Sequence, residues 1–383
     1  KLILLKKYKN MTYKRIVIKL GTNLLTSGKE YLDLSVIKSL CKQISGIKSK
    51  GIQIILVSSG AVASGRGAIK NTSDSITKNN VAYRQMLAAI GQPKLMLTFD
   101  ECFKENNLIV AQALLSRSDL NNRSRYLNLR TTLEKLFSVD AIPIVNENDV
   151  VAVDELSGDF FGDNDRLSAM VANSIDADLL ILLGDTNGLY TSDPHIDHDA
   201  KLIPCVENID KNIENLAHAS HNSLGRGGMI SKLAAAKISM DAGIPMIIAS
   251  GNNDSLQKIV IENKNIGTIF MPKVSRVESR KRWILTGRSE KKGKLFIDDG
   301  AYEAVKNGGN SLLPAGIQNI KGDFHRGDIV EINKNEHILG WGITSYSSKD
   351  IMIIKGKQSS EIHKLLSDFY GEEIIHRNNM VIA

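Results

Sequence analysis

Ile52-Gln53-Ile54-Ile55-Leu56-Val57-Ser58-Ser59-Gly60 is the stretch that decides the fold. Six residues in strand-like order carry a single polar side chain, too few for a strand with one wet face, so both faces must be covered. A strand buried on both sides belongs to a parallel sheet held between layers of helix. Ser58, Ser59 and Gly60 then close the run with small residues suited to a turn and a helix start.

Outward from that strand, strands and helices alternate over residues 15–271. Strands are expected at 15–19, 52–57, 108–111, 141–145, 179–183 and 245–249. Behind Asp33, which suits a helix cap, Val36, Ile37, Leu40, Cys41, Ile44 and Ile47 recur at helical spacing until Gly51 ends the segment. Further helices are expected at 81–106, 125–137, 165–173 and 229–242. The class implied is α/β, an αβα sandwich with a mainly parallel sheet.

Beyond residue 272 the pattern changes to short apolar runs, glycines and turns. Segments 293–297, 327–332, 338–343 and 351–355 read as strands of a small barrel or mixed β domain, with one helix at 360–369. The expected division is a leader at 1–10, a large domain at 11–272, a charged linker at 273–290, a β-rich domain at 291–371 and a tail at 372–383. Lys1 opens the chain and Met11 stands just ahead of the first strand, so the leader is expected to lie outside the fold.

Bulk properties exclude several classes. The chain has 383 residues, 42% hydrophobic and 24% charged, enough for a large core and a second domain. No apolar run is long enough to cross a bilayer and no secretory signal pattern opens the chain, so a cytosolic, membrane-free protein is expected. Three scattered cysteines, Cys41, Cys102 and Cys205, argue against a disulfide framework or a zinc cluster and are expected to be buried thiols. Histidine pairs His195/His198 and His218/His221 lack a third ligand nearby, so no metal site is assigned to protein residues. The net charge of +7 is not a nucleic-acid signal. Four lysines fall in residues 1–10, and 18 Lys and Arg face 14 Asp and Glu over 273–383, which leaves the large domain close to neutral.

In an open parallel sheet, ligands gather at the carboxyl ends of the strands. Polar residues accumulate there in this sequence: Lys19, Gly21 and Thr22; Ser58, Ser59 and Gly60; Asn146, Glu147, Asn148 and Asp149; Asp163, Asn164 and Asp165; Gly184 and Asp185. Gly225-Arg226-Gly227-Gly228-Met229-Ile230-Ser231-Lys232 adds a glycine-rich turn with a cation at the mouth of a helix, where free backbone amides would meet an anion. Two lysines remote in sequence, Lys19 and Lys232, with Asp165 placed to orient both, suit phosphoryl transfer, in which a protein mainly neutralises charge and aligns donor with acceptor. The P-loop pattern, the dinucleotide-binding Gly-x-Gly-x-x-Gly after the first strand, and the protein-kinase signatures are all missing, so the nucleotide fold is a different one.

These residues carry a family resemblance. Ile18-Lys19-Leu20-Gly21-Thr22, Val57-Ser58-Ser59-Gly60-Ala61, Asn146-Glu147-Asn148-Asp149, Phe161-Gly162-Asp163-Asn164-Asp165 and Gly188-Leu189-Tyr190-Thr191-Ser192-Asp193-Pro194 resemble the amino acid kinase family. The Asn-Glu-Asn-Asp and Gly-Asp-Asn-Asp pair, the Gly-Gly-Met loop and Arg280-Lys281-Arg282-Trp283 are similar to its branch that phosphorylates the γ-carboxylate of L-glutamate, the first step of proline synthesis. The resemblance implies ATP and Mg²⁺ as cofactors. It implies Lys19 and Lys232 at the ATP phosphates, Asp165 organising them, and Ser59, Asp149 and Asn164 holding glutamate. Gly184, Asp185, Arg226, Gly227, Gly228, Met229, Ile230, Ser231 and Lys232 would line the ATP site, with Asp163 a weaker candidate. A carboxylate is already a nucleophile at neutral pH, so no general base is needed.

Two positions depart from the family: Gly184 and Arg226 stand where its members commonly carry Thr. The resemblance further implies a homodimer or homotetramer, with proline as a feedback inhibitor at the glutamate pocket. Residues 291–364, with Ser311-Leu312-Leu313-Pro314-Ala315-Gly316-Ile317 and Phe324-His325-Arg326-Gly327-Asp328, resemble a PUA domain; its small charge excess argues against RNA binding and for a regulatory or assembly role. Alternatives are a kinase for another small acid such as aspartate or carbamate, and an RNA-binding protein with an inactive kinase region, against which Lys19, Asp165 and Lys232 speak.

Overall fold

The computed structural model describes residues 12–69, 81–151, 164–194, 196–219, 228–251, 254–279, 292–307, 309–335 and 337–382. Two compact units are present, one of residues 1–120 and 133–274, the other of 121–132 and 275–383.

The larger unit is built on an eight-stranded sheet: β1 Arg15–Leu20, β2 Gln53–Ser58, β3 Val110–Leu115, β4 Ile142–Glu147, β5 Leu179–Gly184, β6 Cys205–Val206, β7 Met246–Ser250 and β8 Thr268–Phe270. Their order is β3-β4-β2-β1-β5-β7-β8-β6. All neighbours pair in parallel except β7 with β8. In β2, residues Ile54 to Ser58 are all buried, as a strand covered on both faces requires. The third strand starts two residues later than its sequence suggested, because Asn107 adopts a left-handed φ of 57° and the turn continues through Leu108.

Alternation along β1 sorts its side chains. Ile16, Ile18 and Leu20 join the core under the helix Leu34–Lys48, whose Ile37, Leu40, Cys41, Ile44 and Ile47 are all buried at the expected spacing. Asp33 caps that helix by accepting from the Ser35 amide at 3.1 Å. Val17 and Lys19 therefore face the other side of the sheet. Cys41, Cys102 and Cys205 are buried and form no disulfide.

Close backbone approach sets the ground next to β2. Gly60, at φ 101°, turns the chain from β2 into the helix Ala61–Ala68. That helix crosses Val81–Lys104 with almost no separation: a Cβ on Gly65 would lie 2.0 Å from the Leu87 carbonyl oxygen, and one on Gly91 would lie 1.9 Å from that of Ala61.

The smaller unit holds a five-stranded sheet ordered β10-β9-β11-β12-β13, from β9 Gly293–Ile297, β10 Ile317–Lys321, β11 Ile329–Lys334, β12 His337–Ile343 and β13 Met380–Ile382. One face packs a core that includes Leu295, Ile297, Val330, Ile332 and Tyr346. On the other, Ile329, Trp341, Ile343 and Val381 pack with Tyr126 and Leu127.

Three expectations are corrected here. Residues 351–355 are not a strand: Ser348–Ile354 is a helix, begun by a reciprocal capping box in which Ser347 and Asp350 each accept the other's backbone N–H. Ser348, Ile351 and Ile354 are buried at helical spacing, and an apolar run this short does not reveal its period. The helix expected at 360–369 is regular only over Ile362–Leu365. Leu366 turns extended, and beyond it Tyr346 holds the chain, taking the Tyr370 amide on its hydroxyl oxygen at 3.0 Å and donating to the Gly371 carbonyl at 2.5 Å. Residues 372–383 are not a tail, since Ile374, Ile375 and Val381 are buried and β13 pairs with β12.

Candidate active site

Parallel register brings the strand ends together. Leu20 on β1 is level with Ser58 on β2 and with Leu183 on β5, and Gly184 with Ser250 on β7. On the face of the sheet to which Lys19 points, the helices Asn164–Ser174 and Met229–Asp241 carry Asp165 and Lys232 in their first turns.

Asp165 is the centre of this arrangement. Its side chain is fully buried, and Oδ1 lies 2.5 Å from Lys19 Nζ, itself 7% exposed. Oδ2 lies 2.8 Å from Ser231 Oγ. That hydroxyl is also 2.9 Å from the Gly228 carbonyl, and its one proton favours the charged acceptor. Burial works against ionising Asp165, but Lys19 and Lys232, with the hydrogen bonds from Lys19 and Ser231, outweigh it and hold the carboxyl below its usual range.

Both lysines lie beside the main chain of Gly21 and Gly184, at the ends of β1 and β5. A Cβ built on Gly21 would lie 3.8 Å from Lys19 Nζ and 3.9 Å from Gly184 Cα, and one built on Gly184 would lie 3.9 Å from Lys232 Cε. Lys19 and Lys232, 213 positions apart by number, thus converge on Asp165 and on the Gly21 and Gly184 main chain. Gly228, in extended conformation, caps Met229–Asp241 with no side-chain acceptor and takes the Ser231 and Lys232 amides on its carbonyl, so the Met229 and Ile230 amides are the ones left to meet an anion. Met229 is half-buried and Ile230 is 38% exposed in that turn.

A second cluster adjoins the first through the chain. Asn164, next to Asp165 and 6% exposed, donates through Nδ2 to the Ser58 carbonyl at 2.8 Å and to Asn146 Oδ1 at 2.9 Å, with Ser59 Oγ at 3.2 Å. Asp149 is half-buried in the turn after β4. Asp185 is exposed and accepts from Asn23 Nδ2 at 3.0 Å. Arg226, Gly227 and Asp163 lie outside the described residues. Gln92, whose Oε1 accepts from Asn146 Nδ2 at 2.7 Å, was not singled out from sequence. Only the spacing of Gly91 before it, a helix interior glycine, hints that the backbone there must approach something closely.

The arrangement offers two cations braced by one buried carboxylate, an open helix N-terminus and an adjoining bed of amides. Among the described residues no group of three or more His, Cys, Asp and Glu is placed to hold a metal ion.

The profile of the amino acid kinase family matches residues 14–250, the whole of this arrangement. The chain belongs to the amino acid kinase family. The PUA domain profile matches residues 293–366. The chain is 48% identical over 371 residues to the glutamate 5-kinase of Dehalococcoides mccartyi, covering 97% of this chain and 98% of that one. It is 43% identical over 371 residues to the glutamate 5-kinase of Shewanella amazonensis, covering 97% and 96%. The kinase match covers most of the larger unit and also residues 121–132 of the smaller, which holds the PUA match.

Proposed function

We propose that this chain transfers the γ-phosphoryl group of ATP to the γ-carboxylate of L-glutamate, giving L-glutamyl 5-phosphate, the first step of proline biosynthesis. The observation that carries this reading is the Lys19–Asp165–Lys232 cluster with Ser231. Lys19 and Lys232 neutralise charge on the phosphoryl group as it moves, and Asp165 keeps both ammonium groups in place without itself exchanging protons. The open amides of Met229 and Ile230 at the helix end, the side chains of Ser231 and Lys232, and Gly184, Asp185, Arg226 and Gly227 bind the nucleotide. Ser59, Asp149 and Asn164 bind glutamate, with Asp149 matched by charge to its ammonium group. The substrate carboxylate attacks directly, so the chain needs to align it and exclude water, not deprotonate it.

Mg²⁺ fits this site as a passenger on the nucleotide. Both oxygens of Asp165 are engaged by Lys19 and Ser231, which favours an ion held mostly by phosphates and water, supplying charge neutralisation there. Further parts of the proposal are a cytoplasmic location, a homo-oligomer, and inhibition by proline at the glutamate pocket. The PUA region serves assembly or regulation; the cover that Tyr126 and Leu127 give to one face of its sheet supports an internal role. No helix among the described residues is long and apolar enough to cross a membrane.

The test is to incubate the purified chain with ATP, Mg²⁺ and L-glutamate and trap acyl phosphate with hydroxylamine, with aspartate and carbamate in parallel. Glutamate-dependent hydroxamate is expected. Folded protein that forms none, or forms it only with another acid, overturns the assignment.

A further inference from the structure

Three primary amides form a chain leading away from Asp165, in the order Asn164, Asn146, Gln92. Neighbours with a single hydrogen-bonding role fix which way each amide faces. The Ser58 carbonyl only accepts, so Asn164 turns Nδ2 to it, 2.8 Å away. The Glu147 amide only donates, so Asn146 turns Oδ1 to it at 2.9 Å, and the same oxygen takes Asn164 Nδ2. Asn146 Nδ2 is thereby left for Gln92, whose Oε1 accepts it at 2.7 Å.

The chain of amides ends in two open groups of opposite kind. Asn164 Oδ1 is an acceptor and Gln92 Nε2 a donor; both atoms are buried, and neither has a hydrogen-bond partner among the described residues. Buried polar groups in native proteins are nearly always paired, and a ligand is one source of the missing partners. An amino acid carries the complementary pair, an ammonium donor and a carboxylate acceptor on one carbon. Gln92 is brought within reach of Asn146 by the Gly65 and Gly91 crossing, which a Cβ at either position would block.

We propose that Gln92 is a substrate-binding residue: its Nε2 donates to the α-carboxylate of glutamate, the one that does not react, while Asn164 Oδ1 accepts from the α-ammonium. This rests on the glutamate reading above. The reacting γ-carboxylate belongs beside Lys19 and Lys232, and Gln92 is two side chains further from Lys19 than Asn164 is. Gln92 therefore selects for a free α-carboxylate.

Steady-state kinetics with the full chain test this, using L-glutamate and its α-amide, L-isoglutamine, which keeps the reactive γ-carboxylate. Wild type should prefer glutamate by about tenfold or more in kcat/KM. Gln92→Glu keeps the acceptor for Asn146 but sets a carboxylate against a carboxylate. It should raise the glutamate KM by about tenfold or more, leave the ATP KM within about twofold, and shrink the preference over isoglutamine. Gln92→Met should raise the glutamate KM as well. If folded variants keep the wild-type glutamate KM and preference, or lose kcat and ATP affinity with the preference intact, Gln92 merely supports Asn146 and the proposal fails. Wild type that uses isoglutamine as well as glutamate overturns it without any variant. Wild type inactive on glutamate sinks the functional assignment instead, a distinguishable result.

Discussion

Lys19 Nζ and Asp165 Oδ1 stand 2.5 Å apart with the aspartate side chain fully buried, so a strand end and a helix start share one ion pair beneath the strand ends. The second aspartate oxygen is tied to Ser231, one residue before Lys232. A single carboxylate thereby sets the positions of two cations carried by different elements.

Asp165→Asn should cost activity and stability together. It keeps the size but leaves Lys19 without its counter-charge, and loss of one member of a buried pair costs about 3–5 kcal/mol. Misplacing a group that stabilises transferred charge typically costs about 10²–10³ in kcat. Urea denaturation and steady-state kinetics measure the two. A variant with wild-type kcat would remove Asp165 from the mechanism.

The same pair predicts an acid limb. The folded-state pKa of Asp165 is depressed, so its contribution to stability is present above the unfolded value, about 4, and fades as pH falls toward the folded value. The stability gap between wild type and Asp165→Asn, read from unfolding midpoints across a pH series, should be widest near neutrality and narrow below about pH 4. A gap constant down to pH 2 would contradict the depressed pKa.

Most of the larger unit was legible in the sequence because its signals are local and redundant. Ile54 to Val57 can only be a two-sided strand, and Ile37, Leu40, Ile44 and Ile47 can only be one face of a helix. Lys19, Asp165 and Lys232 stood out because charge at strand ends and helix starts has few uses in a core. Gln92 did not, since a glutamine within a helix has no local signature and its role comes from a crossing of two glycines remote in sequence. In the smaller unit, Ile351 to Ile354 reads equally as strand or helix, and the deciding bond pair is between Ser347 and Asp350. Strand β10, with three exposed residues of five, carries too weak an apolar pattern to be seen.

That capping box is worth testing alone. Ser347→Ala removes the side chain that accepts the Asp350 amide and should lower stability by about 1 kcal/mol. Hydrogen exchange should report faster opening over Ser348–Ile354, with glutamate and ATP KM unchanged. Unaltered exchange there would show that the burial of Ile351 and Ile354, not the cap, starts the helix.

The crossing of helices Ala61–Ala68 and Val81–Lys104 admits no side chain at its centre. A methyl on Gly91 would meet the Ala61 carbonyl at 1.9 Å and the Gly65 amide nitrogen at 2.3 Å, both main-chain atoms that cannot swing aside. Gly91→Ala should therefore push the helices apart at a cost of about 1–3 kcal/mol. Displacement of Gln92 should also raise the glutamate KM more than the ATP KM. Urea denaturation and the two KM values separate these effects, and a Gly91→Ala protein as stable as wild type would show that the close crossing is dispensable.

Gly184 invites the opposite experiment. Its backbone φ is not in the left-handed range, and the nearest atoms to an added Cβ, Lys232 Cε at 3.9 Å and the Thr186 amide nitrogen at 4.0 Å, are at ordinary contact distance. A Cβ therefore meets no main chain at close range, so Gly184→Thr should change stability by no more than about 0.5 kcal/mol. The new hydroxyl would stand beside Lys232, where a phosphate oxygen can take its proton, a bond worth about 0.5–1.5 kcal/mol or roughly two- to tenfold in ATP KM. The glutamate KM should not follow, because the amides proposed to bind glutamate are fixed by Ser58 and Glu147 on other strands. An ATP KM unchanged in a folded Gly184→Thr protein would place the phosphates away from Gly184 and leave Lys232 to meet them from another side.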